Sequence, residues 1–513
     1  MQKYHWLNIG YIETMSNKQL FPEEKQEELS TIWNSNDSDD VYDISSFYES
    51  GAPPAYSQVE KEDRKRKDED DEQEIVKKRK MITVHGLSGL RNLGNTCYMN
   101  ATLQCLAKIP CLNAYMIDKE LYEQEFEQFV LEEIKDILAI KIRKDKGLAD
   151  DVNVEIYVKD VVKKYENTIT YSLHKLLTQM WLENCEISPR SMKESISKAP
   201  KSIFGGFSQQ DSQEVLSLIL DRIHEESKTD ANVDHKRIPQ NLINMLGARN
   251  EFAKRIHAET SQTEKTILIN NVRKYMNDNY EDTVKLKAIT HWQKYLDKNG
   301  CSFLTDLMCG QYFSNIRCEQ CGSQSPSFDV FMGVISVPIP EAGESTLEEC
   351  LAEFSKEEHL YGENKYNCEV CKEKTNAVKK MWLFELPPVL IIQLKRFKNT
   401  GNLLMKNSSK VKFPIKDLTL SKNMCEFNRD HSKYDLCAIT QHTGSIHGGH
   451  YIAYGLNPIN KKWYIFDDDS VAHVPESDLE GEIITNNSYV LYYQKKVISK
   501  DIQDTLDDVN FSD

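Results

Sequence analysis

The chain has 513 residues, a net charge of −16, 28% charged residues and 40% hydrophobic ones. That length predicts two or three lobes plus tails, and the slightly polar balance predicts that part of the chain stays unfolded. The negative charge disfavours a general nucleic-acid binder, and apolar runs such as Pro387 to Leu394 are too short to span a bilayer.

The first residues, Met1-Gln2-Lys3-Tyr4-His5-Trp6, lack the apolar core of a secretion signal, so an intracellular protein is expected. In that compartment the 13 cysteines, an odd number, read as thiols, metal ligands or nucleophiles rather than as a disulfide framework. Residues 1–60 hold eleven acids against three bases and read as a mostly disordered acidic segment. Within it, Pro53-Pro54-Ala55-Tyr56 has the form of a polyproline ligand for a WW domain; an ordinary proline-rich loop is the alternative. Residues 61–80 are almost wholly charged. Two basic clusters, Arg64 to Lys67 and Lys77 to Lys80, flank the acidic run Asp68 to Glu74. They read as a two-part signal for an import receptor, and so for a nuclear protein, or else as a solvated linker.

Folded texture starts near Val84. Cys97 to Ile109 places Met99, Leu103 and Leu106 on one helical stripe, and Pro110 closes it. Residues 118–300 read mainly as helices, with Tyr171 to Leu182 and Asp211 to Glu226 clearly amphipathic. Residues 228–300 look like a polar helical insertion, either solvated or a partner site. From Cys301 the period shortens towards two. Strands are predicted over Val330 to Val337, Val389 to Phe397, Tyr434 to Gln441, Tyr451 to Gly455, Trp463 to Asp467 and Tyr489 to Gln494. The organisation expected is a tail over 1–83, a folded region over 84–497 and an acidic tail over 498–513.

Three separated motifs carry chemistry. Gly89 to Asn100 is a small, glycine-containing loop that runs into a helix with Cys97 in its first turn. The unpaired N–H groups and positive helix end there favour a thiolate and can hold an oxyanion. Asn92 lies five residues earlier, where its amide can reach the same place. A lone cysteine at a helix start is more often a small buried hydrophobe. Downstream, His442, His447 and His450 surround a glycine-rich turn. A Cys–His pair needs a third group to orient the ring. Asp467, 17 residues past His450 in the next strand, suits that role, and Asp468 follows it. Spacing alone leaves open which histidine is the base, or whether all three are structural.

Cys318-Glu319-Gln320-Cys321 and Cys368-Glu369-Val370-Cys371 form two Cys-x-x-Cys knuckles with 46 residues between Cys321 and Cys368. Four thiolates close a tetrahedral Zn²⁺ shell, which makes the metal structural rather than catalytic. The long gap requires both knuckles to sit at the tips of paired β-hairpins.

Taken in order, these blocks resemble the ubiquitin-specific proteases, the papain-like deubiquitinases. The matching segments are Gly89 to Asn100, Gln209-Gln210-Asp211-Ser212-Gln213-Glu214-Val215-Leu216, the two knuckles, Leu390 to Phe397, Gly448-Gly449-His450-Tyr451 with Trp463 to Val471, and Tyr489 to Tyr493. The resemblance covers about residues 84–497. It implies an α+β fold with a helical thumb, a β-rich palm and zinc-bearing β fingers over about 301–385. It implies a thiol-dependent hydrolase acting after the C-terminal glycine of ubiquitin, with ubiquitin and ubiquitinated proteins as partners and no catalytic cofactor. By position, Cys97 resembles the nucleophile, His450 the base and Asp467 the orienting acid, assisted by Asp468. Asn92 resembles the oxyanion-hole side chain, and Cys318, Cys321, Cys368 and Cys371 the zinc ligands. The block Ser212-Gln213-Glu214-Val215 departs from the more usual Ala-His-Glu-Phe. The alternative is a ubiquitin-binding scaffold that is catalytically silent or needs a partner to become active.

Overall fold

The computed structural model of the chain describes residues 85–117, 164–182, 184–206, 208–229, 239–341, 343–400, 403–445 and 448–496. The acidic N-terminal segment with Pro53-Pro54-Ala55-Tyr56 and both basic clusters, the stretch 118–163, His447 and the tail 498–513 lie outside the described residues. The chain divides into two compact units, one of residues 1–81 and 123–166, the other of 82–122 and 167–513. Every strand among the described residues belongs to the second unit.

The architecture is α+β: most helices come before residue 309 and most strands after it, the exceptions being the short strands Gly89–Leu90 and Glu186–Ile187 and the helices Leu347–Phe354 and Leu479–Ile483. The palm is one large sheet in the order Ser470–Val474, Trp463–Asp467, Gly448–Leu456, Lys433–Ser445, Ser488–Lys495, Val389–Lys395, Val334–Pro338. Val389–Lys395 is a nearly continuous apolar run because both of its faces are covered: Val389, Leu390, Ile391, Ile392 and Leu394 are all fully buried. It pairs antiparallel with Ser488–Lys495 and parallel with Val334–Pro338. The main core lies on this sheet, where Ile335, Leu390, Ile392, Ile439, Leu491 and Tyr493 meet.

The fingers are a second antiparallel sheet in the order Gln324–Met332, Cys309–Cys318, Ala377–Glu385, Glu358–Leu360. The apolar run predicted over Val330 to Val337 is in fact two strands in different sheets. Gly333, at φ 71°, makes the break, and a Cβ there would stand 2.9 Å from Leu220 Cδ1. The left-handed turn and the close helix both call for glycine.

The helix predicted over Asp211 to Glu226 runs Ser212–Ser227, and Asp211 is its cap: the carboxylate accepts from Gln213 N at 2.7 Å. It buries Val215, Leu216, Ile219, Leu220 and Ile223. The helix Cys97–Leu106 differs from its predicted one-sided stripe, because all ten of its residues are buried. It is wedged between the strand Gly448–Leu456 and the helix Ser212–Ser227, so it has no solvent face. The insertion forms three helices, Gln240–Ala258, Gln262–Asp278 and Tyr280–Asn299. The middle one buries no residue; the last lays Val284 and Ala288 against Phe313, Phe328 and Phe384 of the fingers. Among the described residues no helix is long and apolar enough to cross a membrane.

Candidate active site

Strand register brings the histidine and the acid together. Gly448–Leu456 pairs antiparallel with Trp463–Asp467, with Ala453 opposite Phe466. Continued by one residue, that register sets Ile452 opposite Asp467. His450 and Asp467 are then diagonal neighbours on one face, within reach of long side chains. His450 Nε2 and Asp467 Oδ1 are 2.5 Å apart, and both side chains are about half exposed.

His442 has a different environment. Its ring packs 4.5 Å from Tyr451 and 5.4 Å from Phe397, and its Nδ1 has no hydrogen-bond partner. Burial, with the nearby Lys406 charge, pushes it down to about 4, so it sits neutral in an aromatic nest. Among the described histidines, His450 is the one joined to Asp467.

Cys97 is the first residue of its helix and is 3% exposed. The loop before it turns through Gly94 and Asn95, both at positive φ. Asn92 Oδ1 accepts from the N–H groups of Gly94 at 2.9 Å and Thr96 at 3.2 Å. Thr96 Oγ1 in turn accepts from Leu93 N at 2.8 Å. The thiolate that the helix start favours is opposed by its surroundings. Burial pushes the Cys97 thiol up, and the Asp468 charge adds to that. Backbone N–H groups of Tyr451, Tyr98 and Cys97 pull the other way without winning. The helix-start effect is real, but desolvation outweighs it.

Asp468 lies close to His450 and Asp467, within 4.8 Å, but its hydrogen bonds go to other partners. It stands at φ 50° in the turn after the strand, so its carboxylate is thrown to the cysteine side. There Oδ2 accepts from Asn92 Nδ2 and Oδ1 from Asn100 Nδ2, each at 2.8 Å. Its carbonyl accepts from Leu90 N at 2.8 Å. A Cβ on Gly89 would lie 2.1 Å from the Asp469 carbonyl oxygen, so that approach requires glycine. The acidic turn therefore clamps the cysteine loop, and Asn92 gives one amide N–H to the clamp.

A residue not singled out from the sequence completes the surroundings. Gln209 Nε2 donates to the Gly449 carbonyl at 2.7 Å, and Gly449 N donates to Gln209 Oε1 at 2.7 Å. The only sequence signal for it is its place in the Gln209-Gln210-Asp211 block. Behind it, Asp211 Oδ2 accepts from Tyr489 Oη at 2.7 Å, and Gln393 Nε2 donates to that oxygen at 2.8 Å.

At the far end of the fingers the four knuckle cysteines converge. All four sulfurs lie within 4.8 Å of one another. Cys318 and Cys371 are 4.0 Å apart, Cys321 and Cys368 3.6 Å. A tetrahedral Zn²⁺ with bonds of about 2.3 Å sets sulfur–sulfur edges of roughly 3.8 Å, whereas a disulfide needs about 2.05 Å. The donor set thus fits structural zinc. One knuckle ends the strand Cys309–Cys318; the other closes the hairpin of Tyr366–Cys368 and Glu373–Thr375. Each turns through a left-handed residue after its second cysteine, Gly322 and Lys372, whose N–H returns to the carbonyl of the first cysteine at 2.9 and 2.8 Å.

The family model for ubiquitin carboxyl-terminal hydrolase matches residues 88–493, and the chain belongs to that family of deubiquitinating cysteine peptidases. A probable ubiquitin carboxyl-terminal hydrolase of Acanthamoeba polyphaga mimivirus is 28% identical over 429 residues, covering 80% of this chain and 90% of its own. Ubiquitin carboxyl-terminal hydrolase 2 of Bos taurus is 30% identical over 419 residues, covering 80% of this chain. The match spans 55% of that bovine relative, just over half its length. A solved structure of yeast SAGA DUBm aligns over 81% of this chain and 70% of its own, at 20% identity and a TM-score of 0.49.

Proposed function

We propose that the chain is a cysteine protease that hydrolyses the isopeptide or peptide bond after the C-terminal glycine of ubiquitin, with Cys97, His450 and Asp467 as its triad. One observation carries this reading. His450, hydrogen-bonded to Asp467 of the next strand, is followed in its own strand by Tyr451, whose N–H bonds the Cys97 sulfur.

At rest the sulfur is a buried neutral thiol, so His450 acts as general base and takes the proton as Cys97 attacks the glycine carbonyl. Asp467 holds the ring and stabilises its positive charge. The oxyanion is received by the Cys97 backbone N–H and by the Asn92 N–H not given to Asp468. His450 then returns its proton to the leaving lysine amine. Water, deprotonated by His450, hydrolyses the thioester and frees Cys97. Asp468 acts through the loop and is a positioning residue. Zinc held by Cys318, Cys321, Cys368 and Cys371 would tie two β-hairpins together at the finger tip and take no part in bond cleavage.

The test is steady-state hydrolysis of ubiquitin carrying a fluorogenic C-terminal amide. Cys97→Ala should show no turnover, and Asn92→Ala a fall of about 10²–10³. Turnover by Cys97→Ala at the wild-type rate would end this reading.

A second reading, a ubiquitin-binding scaffold that a partner switches on, draws on the raised pKa and deep burial of Cys97. Nuclear import through Arg64 to Lys67 and Lys77 to Lys80, and WW-domain docking through Pro53-Pro54-Ala55-Tyr56, also belong to the proposal and rest on sequence alone. Deleting residues 1–80 should change cellular distribution while cleavage of a small soluble substrate persists.

A further inference from the structure

The strand Gly448–Leu456 has an outer edge that its neighbour covers only in part. Trp463–Asp467 pairs with it from Leu456 back to Ala453. Beyond that point, among the described residues, the edge at Tyr451 and Gly449 has no strand beside it. Gly449 sits opposite Gly444 on the inner side, yet its N–H and C=O both bond to Gln209. Gly449 is therefore in a non-hydrogen-bonded pair, with both polar groups directed outwards.

Such an edge is a template for an added extended segment. Two groups occupy it: Cys97 sulfur at the Tyr451 N–H, and Gln209 at Gly449. Two residues along a strand are about 7 Å, so the sites belong to one extended peptide. The Gln209 side chain makes the two bonds that a residue directly opposite in an adjacent antiparallel strand would make. Its orientation is fixed by its partners, since the N–H needs an acceptor and the carbonyl a donor. Gln209 is exposed, so these bonds can exchange with solvent. Gly449 itself presents bare backbone. A Cβ there would lie 2.3 Å from His442 Nε2 and 2.4 Å from the Thr443 carbonyl.

We propose that Gln209 is a latch: its amide occupies the Gly449 backbone edge at rest and must leave before the extended tail of ubiquitin can pair there. The proposal rests on the hydrolase reading above. In an isopeptide substrate the leaving lysine reaches the bond through its side chain, so only the ubiquitin tail offers backbone to this edge. The latch competes with binding. It raises the apparent KM by one plus the ratio of closed to open forms and leaves the chemical step alone.

The experiment uses the full chain, zinc-loaded, with the fluorogenic ubiquitin amide. Two exposed hydrogen bonds correspond to a closed-to-open ratio of about three to ten. Gln209→Ala should therefore lower KM about four- to elevenfold, with kcat unchanged within about twofold. Gln209→Glu can accept from Gly449 N–H but cannot donate to the carbonyl, so its KM should fall as well. Without substrate, amide hydrogen exchange at Gly449 should be about four- to elevenfold slower in the wild type than in Gln209→Ala, at equal unfolding midpoints. An unchanged or raised KM with a reduced kcat would overturn the latch and make Gln209 a positioning residue. The two failures are separable. If a ubiquitin C-terminal electrophile labels wild-type Cys97 but KM falls in neither variant, the latch alone falls. If no protein is labelled, the hydrolase reading falls and takes the latch with it.

Discussion

Asp468→Asn sets two consequences of one carboxylate against each other. The side chain accepts from Asn92 and Asn100 at 2.8 Å each. An amide has one oxygen, and both partners are donors, so at least one bond must go and the other loses its charge assistance. Charge-assisted bonds contribute about 1.5–3 kcal/mol and neutral ones about 1 kcal/mol. With the group only partly buried, a net loss of about 2–3 kcal/mol from the clamp is expected. If that loss falls on the transition state, kcat/KM drops about 30- to 150-fold. The same substitution removes a negative charge that raises the Cys97 pKa, so the thiol should become more acidic. Turnover of the fluorogenic ubiquitin amide reads the first effect. Iodoacetamide labelling of the Cys97 peptide, with mass spectrometry across a pH series, reads the second. The expected pair is slower turnover with a more acidic thiol. Unimpaired turnover, or a thiol that titrates higher than wild type, would refute the clamp.

Other sites give three further expected outcomes. Lys108 is buried beneath Phe466, with Nζ on the Gly86 carbonyl at 2.7 Å, and burial pushes it down from 10.5 to about 7. The unfolded chain then holds an extra proton between those values, so stability rises with pH, by about 2 kcal/mol from roughly pH 7 to 9. Wild type should gain that amount relative to Lys108→Met over this pH range in thermal melts; a wild-type-minus-variant stability that is flat with pH would contradict it. His442, pushed from 6.5 down to about 4, has the same sign of shift. Stability is lost as pH falls through that window, and His442→Phe should lessen the loss while keeping turnover within about tenfold of wild type, whereas His450→Ala should lose turnover. Metal analysis should find one zinc per chain and none after Cys368→Ser; a stoichiometric zinc content in that variant would exclude the four-cysteine site.

Much of the site is legible in the sequence because its parts are local. Trp463–Asp467 forms the strand that its alternation predicts, and Asp211 caps the helix it precedes. The knuckles carry their own spacing. What stays hidden depends on surroundings. Asp468 comes directly after Asp467 and reads as its assistant; that its left-handed backbone also lets its carboxylate bond Asn92 and Asn100 of the cysteine loop is not written in the motif. Cys97 stands where a helix should acidify it, yet the amount of burial, which no motif records, decides the outcome. Gln209 meets Gly449 across 240 positions, a contact created only by the docking of the thumb against the palm. Lys108 and Arg396, charged residues inside predicted elements, are almost fully buried. Lys108 rests on a carbonyl and aromatic rings, and Arg396 bonds to the carbonyls of Ser488, Asn407 and Ser409.

The central claim is that Cys97 is a nucleophile presented to the C-terminus of ubiquitin. Intact mass of the zinc-loaded chain after incubation with ubiquitin bearing a C-terminal electrophile tests it most directly. A one-to-one adduct on wild type and none on Cys97→Ala is the predicted result. An unmodified wild-type chain, or an adduct that survives Cys97→Ala, would contradict it.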